Sequence, residues 1–317
     1  MPANSLDYRT PPHDPALLYA ALYAGEIVRY SCLPEMAAVV TSTRTFVEER
    51  LAYPPVEIHR HVEHEELAPR LAAIQRDYAR SSELKKLWRA LFEAAGLDPE
   101  DTARDRLVLR FQVHSDVGTT LQWARSTATV GFHRDTWGTN LPAQVNWWAP
   151  VWPITEGRTF AIHPALWDVT IENNSAEFDL ADVMQRVRTA PETLGPGQLA
   201  PRPLRPVDAH DGVPVVIEPG EIIAFSSAHA HVGVPNHTGL TRVSLETRTV
   251  SIADVRTAPP KALTLILYSI RFSTSGSTIA WVSSWKIAGR TARSSATFAT
   301  FARPMLEPRW VGFTISG

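Results

Sequence analysis

One cysteine, Cys32, stands among 317 residues. That excludes an intramolecular disulfide and fits a reducing compartment. Long apolar runs are also missing, since none approaches the ~18 residues that mark a membrane span. The opening MPANSLDYRTPPHDP has no basic stretch followed by an apolar core, so it does not read as a secretory signal. An excess of one charge is lacking too. The formal net charge is −2, which favours neither a nucleic-acid partner nor an anionic membrane surface. The expectation is a soluble cytoplasmic protein with no nucleic-acid and no membrane partner. With 44% hydrophobic residues the chain can bury one large domain, or a core with a helical appendage.

Periodicity divides the chain. Residues 15–97 read as helical, most clearly over Ser82–Ala95, where Leu84, Leu87, Trp88, Leu91, Phe92 and Ala95 form one apolar stripe. Gly96 is a good terminator. Further helices are expected over Ala16–Ala24, Glu35–Leu51 and His64–Arg80. From Arg106 the period shortens to two. Strand-like runs cover Leu107–Val113, Gln144–Val151, Thr159–Ile162, Val213–Ile217, Glu221–Ser226 and Arg242–Val250, with a helix expected over Asp179–Arg188.

Several short strands without alternating helices point to a sandwich or jelly roll. The expected fold is therefore mainly β with N-terminal helices, a double-stranded β-helix (cupin-like) core packed against them. Three regions follow: residues 1–104, helical and lying on the sheet; residues 105–255, the jelly-roll catalytic core; and residues 256–317, an atypical segment expected to be poorly ordered or out of frame. After Asp254 the only acid is Glu307, against eight Lys or Arg. The proline-dense stretch 195–219 reads as a long loop, a candidate lid.

His133-Arg134-Asp135 ends an apolar, β-branched run from Thr127 to Phe132, and His229-Ala230-His231 follows about a hundred residues later. Two imidazoles and one carboxylate make the facial triad that holds non-haem Fe(II) with open positions. In an extended strand His133 and Asp135 share a face while Arg134 points away. His229, two residues before His231, is the rival for the third ligand. Arg242 lies eleven residues after His231. A guanidinium is the side chain best suited to pairing both oxygens of a carboxylate. Ser244 and Arg248 follow on the same strand. Arg248 either pairs with an acid of the barrel wall or reaches substrate. Arg110 and Gln112 share a face, and a buried Arg110 needs a carboxylate partner. Trp137, Trp147, Trp148, Trp152 and Trp167 read mostly as core. Asn146 alternates with Val145 and Trp147 and is a candidate polar contact for a co-substrate or substrate.

The pattern of HxD, a second His and an Arg eleven residues on resembles the Fe(II)/2-oxoglutarate oxygenases, specifically their phytanoyl-CoA dioxygenase-like branch, over residues 105–250. Where that branch carries a Gly-rich strand ending in Pro-Gly-Ser-His, this chain reads Gly157 to Trp167 and ends in Pro-Ala-Leu-Trp. The resemblance implies Fe(II) on His133, Asp135 and His231, with 2-oxoglutarate and O2 as co-substrates. It further implies that Arg242, aided by Ser244, binds the C5 carboxylate. Succinate and CO2 would be released as an unactivated C–H bond of a small molecule is oxidised. The presence of Asp135 disfavours halogenation, leaving hydroxylation first and desaturation or cyclisation open, in a natural-product setting. Two other readings remain: a cupin-like metalloenzyme that does not use 2-oxoglutarate, and a catalytically silent small-molecule binding protein.

Overall fold

The computed structural model of the chain describes residues 6–12, 14–114, 130–139, 141–190, 193–194, 198, 200–208, 210–257, 280–287 and 290–297. Thr127–Thr129 of the run before His133 lie outside them, as do much of the expected 195–219 loop's first part and most of residues 258–317.

Four helices precede the strand-rich part: α1 (Pro15–Tyr23), α2 (Pro34–Glu48), α3 (His64–Arg80) and α4 (Ser82–Ala94). Local chemistry sets their starts. Asp14 caps α1 by accepting from the Ala16 amide at 2.9 Å, and Ser81 caps α4 by accepting from the Leu84 amide. The α4 stripe buries Leu84, Trp88, Leu91 and Phe92 as its period requires, and Gly96, with φ of +89°, follows its C-terminus. The Trp88 indole donates to the Tyr78 hydroxyl at 3.1 Å, which lies 3.3 Å from the Thr43 hydroxyl, so one buried polar contact ties α2, α3 and α4 together.

The N-terminal region is not helical throughout, as its composition suggests. Tyr8–Arg9 (β1) and Ile27–Tyr30 (β2) are strands, and β2 pairs with the main sheet through Val28, Arg29 and Tyr30. Ile27 and Val28 are β-branched and face opposite cores, so a four-residue strand here buries apolar surface on both sides.

The remaining strands are β3 (Thr102–Arg104), β4 (Val108–Gln112), β5 (Gln144–Pro150), β6 (Phe160–Ile162), β7 (Val213–Pro214), β8 (Ile222–Ser226), β9 (His231–Gly233), β10 (Arg242–Ser251), β11 (Ala280–Ile287) and β12 (Arg290–Thr297). A mixed main sheet runs β1-β2-β8-β5-β10-β3-β11-β12, and β4 also pairs with β10. One edge of β10 takes β5, while the other takes β4 along its first half and β3 along its second. A second sheet, β7-β6-β9, is antiparallel.

Alternation along the strands assigns the two faces. Val145, Trp147 and Ala149 of β5, and Ile222 and Ala224 of β8, enter one large core with the helices. Trp148, Ile223 and Phe225 enter a second core with Phe160, Ile162 and Val213 of the smaller sheet. The main sheet is thus covered by helices on one face and by the small sheet on the other. The candidate site lies between the sheets. A helix over Leu180–Thr189 is capped by Asp179, which accepts from the Ala181 and Asp182 amides. Among the described residues, no helix is long and apolar enough to cross a membrane.

Candidate metal centre

His133 reaches the site through backbone pairing. Its amide donates to the His231 carbonyl at 3.0 Å, and the His231 amide returns the bond at 2.9 Å. The chain then turns instead of continuing as a strand, because Asp135 opens a one-turn helix, Asp135–Thr139. The i, i+2 relation expected from an extended strand is therefore replaced by a bridge followed by a helical turn. The outcome for the side chains is the one that spacing implied. One potential ligand atom each from His133, Asp135 and His231 lies within 4.8 Å of the others. Arg134 points away, fully buried, its Nη2 donating to the carbonyls of Leu166 and Val169.

Both imidazoles are fixed in one tautomer. His133 Nδ1 lies 2.8 Å from the Gly131 carbonyl, and His231 Nδ1 lies 3.0 Å from the His229 carbonyl. A carbonyl oxygen only accepts, so each Nδ1 carries a proton, and Nε2 is the nitrogen left to face a metal. Burial, helped by the charge His133 can carry, pushes the His231 imidazole down to about 4, so it is neutral near pH 7. That is the form a metal requires.

Burial alone would raise the Asp135 carboxyl. The Arg248 guanidinium, followed by His133 and His231, outweighs it and holds the group well below the usual carboxylate range. Asp135 Oδ1 accepts from Arg248 Nη2 at 3.2 Å and Oδ2 accepts from Asn146 Nδ2 at 2.6 Å. Asn146 Oδ1 in turn accepts from the Ser227 hydroxyl. Asn146, expected to meet co-substrate, lines the cavity and donates to the Asp135 carboxylate. Arg248 finds its acid partners in Asp135 and in Asp105, 3.7 Å from Nη1.

His229 does not join the cluster. Its ring is buried 4.5 Å from that of Trp167. Trp167 in turn packs so close to Gly25, whose φ is +92°, that a Cβ there would lie 2.6 Å from the indole. Only the backbone carbonyl of His229 serves the site.

β10 supplies the far wall. Val243 and Leu245 enter the helix-side core, while Arg242, Glu246 and Arg248 line a cavity of about 130 Å³ together with the His-Asp-His cluster. Burial lowers Arg242 to about 10, still charged at neutral pH. Its Nε and Nη1 are buried with no hydrogen-bond partner among the described residues, and so is the Ser244 hydroxyl. Buried polar atoms without partners are uncommon and call for an explanation. Arg110 has the carboxylate it needs: its Nε and Nη2 donate to Glu246 at 2.5 and 2.8 Å. Glu246 was not legible as that partner, because only the β4–β10 register brings it to Arg110. Trp148, Phe160 and Phe225 make the cavity's apolar side, and Ala200 of the expected lid segment reaches its lining.

No protein-family model matches the chain, and no curated protein matches it. Among solved structures it is similar to EvdO2 from Micromonospora carbonacea var. aurantiaca complexed with 2-oxoglutarate. The identity is 14% and the TM-score 0.42, over 77% of this chain and 94% of that one. It is also similar to the non-haem alpha-ketoglutarate-dependent carbocyclase SnoK from nogalamycin biosynthesis, at 15% identity and a TM-score of 0.41, over 77% and 87% of the two chains. The nickel complex of the non-haem monooxygenase ThoJ follows at 12% identity and a TM-score of 0.39, over 74% and 76%. Likeness at this level carries no argument, and the chemistry rests on the side chains described above.

Proposed function

We propose that the chain is an Fe(II)- and 2-oxoglutarate-dependent oxygenase of the phytanoyl-CoA dioxygenase-like branch, oxidising a small organic molecule. The two facing sheets are read as its double-stranded β-helix, with residues 105–255 as the catalytic core. One observation carries the reading: His133, Asp135 and His231, whose ligand atoms converge, line one cavity together with Arg242, which has two buried nitrogen atoms without partners among the described residues. The donor set fits the metal, since two imidazoles and one carboxylate leave positions open for other ligands. It fits the keto acid as well, because a buried guanidinium with two unpaired nitrogen atoms matches a carboxylate fork.

Bound together, iron and 2-oxoglutarate supply the oxidising power to break an unactivated C–H bond with dioxygen, releasing succinate and CO2. The chain's own residues do the rest. His133 and His231 present Nε2 because Gly131 and His229 hold the opposite ring nitrogen. Asn146 orients Asp135. Arg242 and Ser244 take the distal carboxylate, and Trp148, Phe160 and Phe225 keep water from the reacting face. Hydroxylation is the proposed outcome.

A cupin-like site that ignores 2-oxoglutarate gives Arg242 nothing to hold. Anaerobic titration of the protein with Fe(II) and 2-oxoglutarate tests the reading. A weak visible charge-transfer band and, on admission of air, release of succinate are expected. Absence of both overturns it.

A further inference from the structure

The oxygen of Asp135 that faces the histidines is already taken. Oδ1 lies 3.6 Å from His133 Nε2 and accepts from Arg248 Nη2 at 3.2 Å. The other oxygen, Oδ2, is held by Asn146. A divalent cation drawing on Oδ1 must therefore share it with a guanidinium, or displace that guanidinium toward Asp105, where Nη1 already lies 3.7 Å from a carboxylate oxygen. Like charges this close in a poorly hydrated cavity repel strongly.

The rest of the wall adds to the conflict. Three guanidiniums line the cavity (Arg110, Arg242 and Arg248) against two carboxylates, Asp135 and Glu246. Before any ligand arrives, the lining carries a surplus of one positive charge, and a metal ion alone raises it by two. A dicarboxylate brings two negative charges and removes that increment.

We propose that Arg248 is a built-in competitor for the metal's carboxylate ligand, which makes divalent-cation binding depend on the arrival of the dianionic co-substrate. This rests on the metal and co-substrate reading above. Arg248 acts through Asp135, so it is a positioning residue. Its effect is a coupling between two ligands: whatever the dianion does for metal affinity, the metal does equally for dianion affinity. Loading is then ordered, and the metal-only state is held at low population.

The test is Co(II) binding to the full chain, anaerobic, by calorimetry and by the visible absorption of Co(II), with and without 2-oxoglutarate. Arg248→Gln is expected to bind Co(II) alone at least tenfold more tightly than wild type. The factor by which 2-oxoglutarate tightens Co(II) binding should fall at least tenfold in that variant. Arg248→Lys, which keeps the charge, should stay within threefold of wild type. A merely structural Arg248 predicts the opposite sign, so equal or weaker Co(II) binding by Arg248→Gln overturns the proposal. Asp105→Asn serves if that variant does not fold. Leaving Arg248 wholly on Asp135, it should weaken Co(II) binding threefold or more, and unchanged or tighter binding overturns the proposal independently. Equal Co(II) binding by wild type and Asp135→Ala would instead show that the cluster is no metal site, and both readings would fall together.

Discussion

His133 and His231 face each other across a two-residue antiparallel bridge, with ring centroids 4.2 Å apart and both backbone bonds exchanged. Residues 98 positions apart are thereby held in register by main chain as well as by side chains. The ligand pair is preorganised before any metal arrives, which lowers the ordering cost of binding. The two rings of the His229-Ala230-His231 triplet go to different places. His231 opens β9 with its ring in the cavity lining, whereas His229 lies in the turn before that strand and its ring packs on Trp167.

His231→Ala is expected to weaken Co(II) binding by more than the ~10–100-fold that loss of an outer-shell partner costs. His229→Ala keeps the backbone carbonyl that orients His231, so its Co(II) affinity should stay within about tenfold of wild type, a partner-scale effect at most. It empties a fully packed position, however, and should lower stability by about 2–4 kcal/mol in urea melts. Equal metal loss in the two variants would reassign the ligand.

Arg242 and Ser244 should report on the keto acid without touching the metal. Arg242→Ala is expected to weaken 2-oxoglutarate binding by at least ~30-fold, the low end for truncating a buried charge partner. Arg242→Lys should recover only part of this, because a point charge replaces a fork. Ser244→Ala removes one hydroxyl, worth about 1 kcal/mol or roughly fivefold. Titrations followed by the charge-transfer band measure all three. Unchanged 2-oxoglutarate affinity in Arg242→Ala would remove the residue from its assigned role.

What the sequence made legible was local. The α4 stripe and the alternation of β5 and β10 follow from periods of 3.6 and 2 acting on neighbouring residues, while the HxD with its distant His and Arg is read from a family resemblance. What it hid depends on pairings far along the chain. β2 is four residues long within a stretch of helix formers, and only its register with β8 shows why it is extended. Asp135 leaves the strand for a helical turn while Arg134 is drawn to the carbonyls of Leu166 and Val169, thirty-odd residues away. Glu246 meets Arg110 because Ser244 is registered against Arg110 in the β4–β10 pair. No spacing within one segment encodes that.

The Arg110–Glu246 pair itself is a stability element that can be broken from either side. Burial raises the Glu246 carboxyl, but Arg110, then Arg242 and Arg248, outweigh it and keep the group ionised. Glu246→Ala strands a guanidinium in the cavity wall and should cost about 3–5 kcal/mol, whereas replacing both partners with apolar residues is often neutral or stabilising. Arg110→Met combined with Glu246→Leu is therefore expected to be more stable than Glu246→Ala alone in urea melts. A double variant no better than the single one would show that the two side chains do not depend on each other.

Acid should unfold the metal-free protein through its buried histidines. Burial, followed by the charge on His231, pushes His229 down from 6.5 to about 3, and His231 is lowered to about 4. Both pKa values are depressed in the fold, so the unfolded chain takes up protons that the folded one refuses. The stability each neutral ring contributes is complete above pH 6.5. It is lost as pH falls from there toward 4 for His231 and 3 for His229. With two such groups the unfolding free energy should drop by up to about 2.7 kcal/mol per pH unit inside that window. His229→Leu removes one proton-binding site and should roughly halve the slope between pH 6 and 4.5, whatever it does to stability at pH 7.5. Urea melts at several pH values measure both lines. A wild-type slope near zero across this window would mean that the two rings are already protonated or exposed in the folded protein, and the neutral Nε2 lone pair on which metal binding depends would then be missing.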